Sequence, residues 1–154
     1  HLRINEKNIK GKDFYMIGGM GHTSSVALAH SVFSKKYTIC IDGDGSLLMH
    51  LGSIITCSKY SNKFKYILIN NFSHESVGGQ KTNSNIVNFE KLSKSVGFNK
   101  YLSLSKKKDI KKIINTFIKY KGKIFLEVKT NLGSLENLGR PKNFIDIKKK
   151  FISK

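Results

Sequence analysis

Asp44 and Asn71 are the residues whose types and spacing best suit cation binding. Asp44 sits in Ile39-Cys40-Ile41-Asp42-Gly43-Asp44-Gly45-Ser46, and Asn71 closes Ile67-Leu68-Ile69-Asn70-Asn71. Each apolar run stops at turn residues, the pattern of a buried strand whose last residues reach the rim of a sheet. One strand thus delivers a carboxylate and the next an amide. The 26 residues between them (45–70) are enough for a turn, a helix and the next strand, so a parallel crossover sets the two side chains side by side. Oxygen ligands of this kind suit a hard cation, Mg²⁺ above all, which completes its shell with water and substrate phosphate. The arrangement points to a ligand carrying a diphosphate, and Gly43 and Gly45 let the backbone come close to it.

The elements that must position these residues alternate between strand and helix patterns. That alternation argues for an α/β fold, a three-layer α/β/α arrangement around a mostly parallel sheet. Phe14 to Ile17 reads as a first strand, and Thr23 to about Ser34 as a helix. Tyr37 to Ile41 is the second strand. One helix is expected from Ser46 to about Ser58, with Leu47, Leu48, Leu51, Ile54 and Ile55 on one face. Lys65 to Ile69 is the third strand, and residues 71–85 form a polar, glycine-containing loop of the kind that often carries function. A short helix around Phe89, Leu92 and Val96, a strand from Tyr101 to Leu104, an amphipathic helix from Lys106 to Tyr120, a strand from Lys123 to Lys129 and a terminal helix from Phe144 to Ile152 complete the chain. Residues 1–13 read as a linker or a truncated upstream segment, since the chain opens on His1, and 14–154 as one domain.

The formal charge is +18, which by itself suggests a polyanionic partner. All but two of the 28 basic residues are lysines, the exceptions being Arg3 and Arg140, whereas nucleic-acid recognition leans on the bidentate guanidinium. The lysines are spread along the chain, and the run around Lys106 to Lys112 falls on a solvated helix face. No nucleic acid is expected as partner, although a basic nucleic-acid-binding α/β module is the competing class. Cys40 and Cys57 form no metal or disulfide pattern and read as small buried hydrophobes. No run approaches the length of a membrane span and no signal-peptide pattern is present, so the expectation is a cytoplasmic protein without membrane contact.

Three loops follow three successive strands, where open parallel sheets bind ligands. They are Gly18-Gly19-Met20-Gly21-His22-Thr23, then Gly43-Asp44-Gly45-Ser46, then Asn70-Asn71-Phe72-Ser73-His74-Glu75-Ser76-Val77-Gly78-Gly79-Gln80. The second and third together resemble the thiamine diphosphate motif, Gly-Asp-Gly followed by Asn-Asn after an apolar strand. Adding Gly-Met-Gly-His and the His74 to Gln80 run, residues 14 to 130 resemble the thiamine diphosphate-dependent decarboxylases, most of all those acting on phosphonopyruvate, with the sulfopyruvate β subunits next.

The resemblance implies a thiamine diphosphate-binding fold and the cofactors thiamine diphosphate and Mg²⁺. Asp44, the Asn71 side chain and the Ser73 carbonyl would hold the metal. Gly43, Gly45 and Ser46 would line the diphosphate, Met20 would wedge the cofactor into its bent shape, and the backbone at Gly18 and Gly21 would face its aminopyrimidine. The implied reaction is decarboxylation of a small anionic 2-oxo acid, phosphonopyruvate giving phosphonoacetaldehyde and CO₂. His22 and His74 are the catalytic candidates, able to orient an anionic substrate or handle a proton, with a structural hydrogen-bonding role as the alternative for each. His30 and His50 lie on helices and read as structural, Lys81 is one lysine among many, and Asp42 reads as satisfying turn amides. The family's activating glutamate comes from a pyrimidine-binding domain, and Glu75 is in the wrong segment to replace it. The chain alone is therefore expected to be inactive. Its expected partner is that domain, upstream on the same protein or on a separate subunit, in a homodimer or higher oligomer.

Overall fold

The computed structural model describes residues 13–133 and 143–152. These fall into two compact units, one spanning Gly19–Leu132 and the other made of the segments up to Gly18 and from Gly133 onward. The expected linker therefore lies almost wholly outside the described residues. In the second unit α6 (Phe144–Ile152) forms where its pattern predicts, and the rings of Phe14 and Phe151 pack 5.3 Å apart. Phe14 to Ile17 does not form the expected first strand. An apolar run becomes a strand only when a neighbour supplies ladder partners, and periodicity alone does not provide one.

The larger unit is a parallel four-stranded sheet in the order β1 (Thr38–Gly43), β2 (Phe64–Asn70), β4 (Ile124–Lys129), β3 (Lys100–Leu104). Thr38 pairs with Phe64 and Gly43 with Ile69, so both loops of interest leave the sheet at the same rim. Alternate residues feed two cores. Cys40, Tyr66, Leu68 and Phe125 meet Leu47, Ile54, Phe89 and Phe98 on the face covered by α1 (Thr23–Phe33), α2 (Asp44–Met49), α3 (Ser53–Tyr60) and α4 (Phe89–Ser95). Ile124 and Leu126 meet Phe117 of α5 (Ile110–Lys119) on the other. The α5 layer is backed by Lys65, only 2% exposed, whose ammonium donates to the Phe117 and Ile118 carbonyls at 2.8 and 2.7 Å and so closes the negative end of that helix. On β1, at the edge of the sheet, Ile39 and Ile41 of this second face stay half exposed.

Two helices are shorter than their apolar stripes predict. The single helix expected from Ser46 to Ser58 is two, broken at His50, where the backbone leaves the helical region before Gly52 caps α3. The one expected from Lys106 begins with a 3₁₀ turn at Lys107–Asp109, ahead of α5. Side-chain periodicity continues through both irregularities, which is why it hides them.

Candidate functional site

Asp44 opens α2 directly after β1 and is 1% exposed. Its Oδ2 accepts the hydroxyls of Thr82 at 2.5 Å and Ser84 at 2.8 Å. Among the described residues no donor reaches its Oδ1 and no cation pairs with it. A carboxylate withdrawn from water with only neutral partners is costly unless a positive charge completes it. Two positions earlier, Asp42 fills a different role on the inner face of β1. It accepts from the Tyr66 hydroxyl at 2.9 Å and the Gly43 N–H at 3.1 Å, which includes the turn amide expected of it. Burial pushes its carboxyl above the usual range, and hydrogen bonds from Ser46, Tyr66, Gly43 and Thr23 oppose that rise.

Beyond β2 the chain folds back on itself. His74 N–H donates to the Gln80 carbonyl at 2.8 Å and Thr82 N–H to the Phe72 carbonyl at 3.0 Å, with Ser73 opposite Lys81. This small hairpin carries Thr82 and Ser84 to Asp44. Phe72, at φ 59°, sits in the left-handed region that a bulky residue rarely adopts. Its N–H donates to Asn70 Oδ1 at 3.3 Å. Asn71 is half-buried, its Oδ1 accepting from Ser73 N–H at 3.1 Å and its Nδ2 donating to Glu75. The Ser73 hydroxyl donates to the Gly79 carbonyl, while the Ser73 carbonyl stands outside the hairpin's hydrogen bonds.

The first loop is tied to the second by the Gly21 N–H, which donates to Ser46 Oγ at 2.8 Å. Gly21 adopts φ +88°, and a Cβ there would lie 2.3 Å from His50 Nδ1. His50 in turn packs its ring 4.3 Å from that of His22, the exposed residue capping α1. Met20 is half-buried in the turn ahead of α1, and Gly18, at φ +77°, ends the preceding segment. His30 takes a structural part, its Nδ1 2.8 Å from Thr38 Oγ1. His74 projects over the second loop: a Cβ on Gly45 would be 2.3 Å from its Nδ1 and Cε1. The structure thus brings Gly43, Asp44, Gly45, Ser46 and His74 together at one rim, with Asn71 and Ser73 on the neighbouring strand's loop.

These donors fit a hard divalent cation. They are one carboxylate oxygen of a buried aspartate that takes no donor among the described residues and stays open at the rim, one carbonyl outside any ladder and one amide, all oxygen or able to present it. No group of three or more His, Cys, Asp or Glu that could hold a metal ion occurs among the described residues, so a cation here would draw on the amide and carbonyl oxygens as well.

Residues 8–128 match the family model described as thiamine pyrophosphate enzyme, C-terminal TPP binding domain. The chain belongs to that family. The domain is similar to a phosphonopyruvate decarboxylase of Streptomyces viridochromogenes, 30% identical over 134 residues, which cover 86% of this chain and 34% of that protein. Its counterpart in Streptomyces hygroscopicus is 29% identical over 134 residues, covering 86% and 33%. The sulfopyruvate decarboxylase subunit beta of Methanococcus maripaludis is 37% identical over 97 residues, covering 62% and 51%. The chain spans about a third of the length of these phosphonopyruvate decarboxylases and about half of that β subunit. No helix among the described residues is long and apolar enough to cross a membrane.

Sequence reasoning passed over the residues that surround Asp44. Ser84 also lies 3.2 Å from Asn70 Oδ1, Asn70 Nδ2 donates to Glu127 Oε1 at 2.8 Å, and the Tyr101 hydroxyl donates to the other Glu127 oxygen. Asn70 and Glu127 are 1% and 4% exposed. A carboxylate inside the apolar run Ile124-Phe125-Leu126-Glu127-Val128 was the available signal, since a buried charge in a strand needs a partner.

Proposed function

We propose that this domain is the diphosphate-holding half of a thiamine diphosphate- and Mg²⁺-dependent 2-oxo acid decarboxylase, acting on phosphonopyruvate to give phosphonoacetaldehyde and CO₂. The observation that supports it most is the Asp44 carboxylate, buried at a strand end with neutral partners and one oxygen open. In this reading Asp44, Asn71 and the Ser73 carbonyl hold Mg²⁺, and the Gly45 and Ser46 N–H groups face the diphosphate. When bound, the cofactor supplies an electron sink for decarboxylation next to a ketone. What the chain's own residues contribute is anchoring and orientation. His74, over Gly45, lies on the diphosphate side of the site, which makes a direct contact with anionic groups its role. His22, its ring tilted against that of His50 at the first loop, is held where it can meet the substrate's acidic end.

The 2-oxo acid is small and anionic, and activation of the cofactor requires a glutamate from a pyrimidine-binding domain, on the same protein or another subunit. Coverage of only a third of the two Streptomyces proteins supports such a missing half. The higher identity to the sulfopyruvate β subunit supports a second reading, a two-chain sulfopyruvate decarboxylase. Rates of the complete protein, with every domain or subunit it carries, on the two substrates separate them, and a preference for sulfopyruvate sinks the first. Asp44→Ala tests the common ground: it should abolish Mg²⁺-dependent thiamine diphosphate binding. Retained binding, or salt-sensitive nucleic-acid affinity as the protein's main activity, would refute the cofactor reading.

A further inference from the structure

The loop after β2 returns to Asp44 for a reason that metal anchoring alone does not explain. Thr82 and Ser84 lie 5% and 2% exposed, on and just inside a 3₁₀ turn at Asn83–Ile86 that the Thr82 side chain caps by accepting from Ser84 N–H. Their two hydroxyls meet the same oxygen of Asp44.

Hydrogen counting fixes the direction of these bonds. The Thr82 hydroxyl has one hydrogen and gives it to Asp44 Oδ2 at 2.5 Å. The Ser84 hydroxyl also has one, with Asp44 Oδ2 at 2.8 Å, Thr82 Oγ1 at 2.7 Å and Asn70 Oδ1 at 3.2 Å in reach. A carboxylate oxygen is the strongest acceptor of the three. The other two already receive backbone N–H groups, from Ser84 and Phe72. Oδ2 is therefore loaded with two donors and Oδ1 with none. Asn70, next to Ser84, is itself held by Glu127 through its Nδ2.

We propose that Thr82 and Ser84 are positioning residues that restrict Asp44 to one-oxygen ligation and thereby favour Mg²⁺ over Ca²⁺; this rests on the cofactor reading given above. Mg²⁺ demands an octahedron and takes one oxygen per carboxylate, whereas Ca²⁺ accepts six to eight ligands and readily takes both. A two-oxygen grip on Ca²⁺ would have to displace both hydroxyls from Oδ2. One-oxygen ligation keeps them.

The test is calorimetric titration of the complete protein with Mg²⁺ and with Ca²⁺ at saturating thiamine diphosphate, for wild type, Thr82→Val, Ser84→Ala and Thr82→Ser. Removing a hydroxyl from outside a metal ligand costs about 10- to 100-fold in metal affinity. Each hydroxyl-free variant should lose about tenfold or more for Mg²⁺ and less than about threefold for Ca²⁺, narrowing the preference, while Thr82→Ser retains it. Far-UV circular dichroism confirms folding, and if Ser84→Ala does not fold, the Thr82→Val and Thr82→Ser pair decides alone. Equal losses for both metals, an unchanged ratio, or a Thr82→Ser that behaves as Thr82→Val would overturn the proposal. Wild type that binds thiamine diphosphate with neither metal would instead refute the cofactor reading.

Discussion

Gly45→Ala should change sign with the residue at position 74. The added methyl would sit 2.3 Å from two atoms of the His74 imidazole, against roughly 3.5 Å for an ordinary contact. The ring must therefore retreat by about 1 Å or more. Its backbone is pinned by the bond from His74 N–H to Gln80, and its carbonyl takes the Val77 and Gly79 N–H groups, so only the side chain can turn. Overpacking of this kind costs about 1–3 kcal/mol. Alanine in place of glycine in a helix returns about 0.5–1 kcal/mol, leaving a net loss of about 0–2.5 kcal/mol, centred near 1 kcal/mol. In a His74→Ala background the clash is gone and only the helix gain remains, so the same substitution should stabilise by about 0.5 kcal/mol. Urea unfolding of the four proteins of this double-mutant cycle measures the coupling directly. Additivity to within about 0.5 kcal/mol would refute the placement of His74 over Gly45.

Lys65→Met keeps the aliphatic stem but removes the ammonium from the Phe117 and Ile118 carbonyls. It should destabilise by about 1–3 kcal/mol, and a neutral result in urea unfolding would show that the cation does not close α5. Burial raises the Asp42 carboxyl, so its folded-state pKa lies above the unfolded one. Its stabilising contribution is complete below the unfolded pKa and fades as pH rises through the folded one. Asp42→Asn mimics the protonated form, so its stability relative to wild type should fall as pH is lowered from about 8 to 4, and a pH-independent difference would refute the assignment. Burial raises the Cys57 thiol to about 12 and pushes Cys40 higher still. Neither should react with a thiol reagent at neutral pH until the protein unfolds, and stoichiometric labelling of the native state would contradict their burial.

What the sequence made legible is what periodicity and spacing encode. The runs at Ile39–Ile41 and Ile67–Ile69 became neighbouring parallel strands, and their turn residues reached one rim, because a parallel strand reads as a short apolar run with a polar stop even at the edge of the sheet, where Ile39 and Ile41 stay half exposed. The amphipathic stripe of α5 was equally plain. Phe14 to Ile17 looked like a strand because its composition is right, yet a strand is a relation between two segments and only one of them was in view. Thr82 and Ser84 were invisible for a related reason. Nothing in a Thr-Asn-Ser-Asn stretch says that a positive-φ Phe72 will turn the chain and deliver two hydroxyls to a carboxylate 38 and 40 positions earlier. Tertiary polar networks of that kind leave no local period.

The half-exposed Ile39 and Ile41 bear on how this protein behaves in a tube. They mark an edge strand with an apolar outer side, the kind of surface along which copies stick. The +18 charge acts against that at long range, and charge repulsion between copies weakens as the Debye length shrinks from about 30 Å at 0.01 M salt to about 10 Å at 0.1 M. Self-association should therefore grow with ionic strength, while low salt invites polyanions from a lysate to coat the lysines. The salt in the buffer therefore decides how far the charge of each copy reaches.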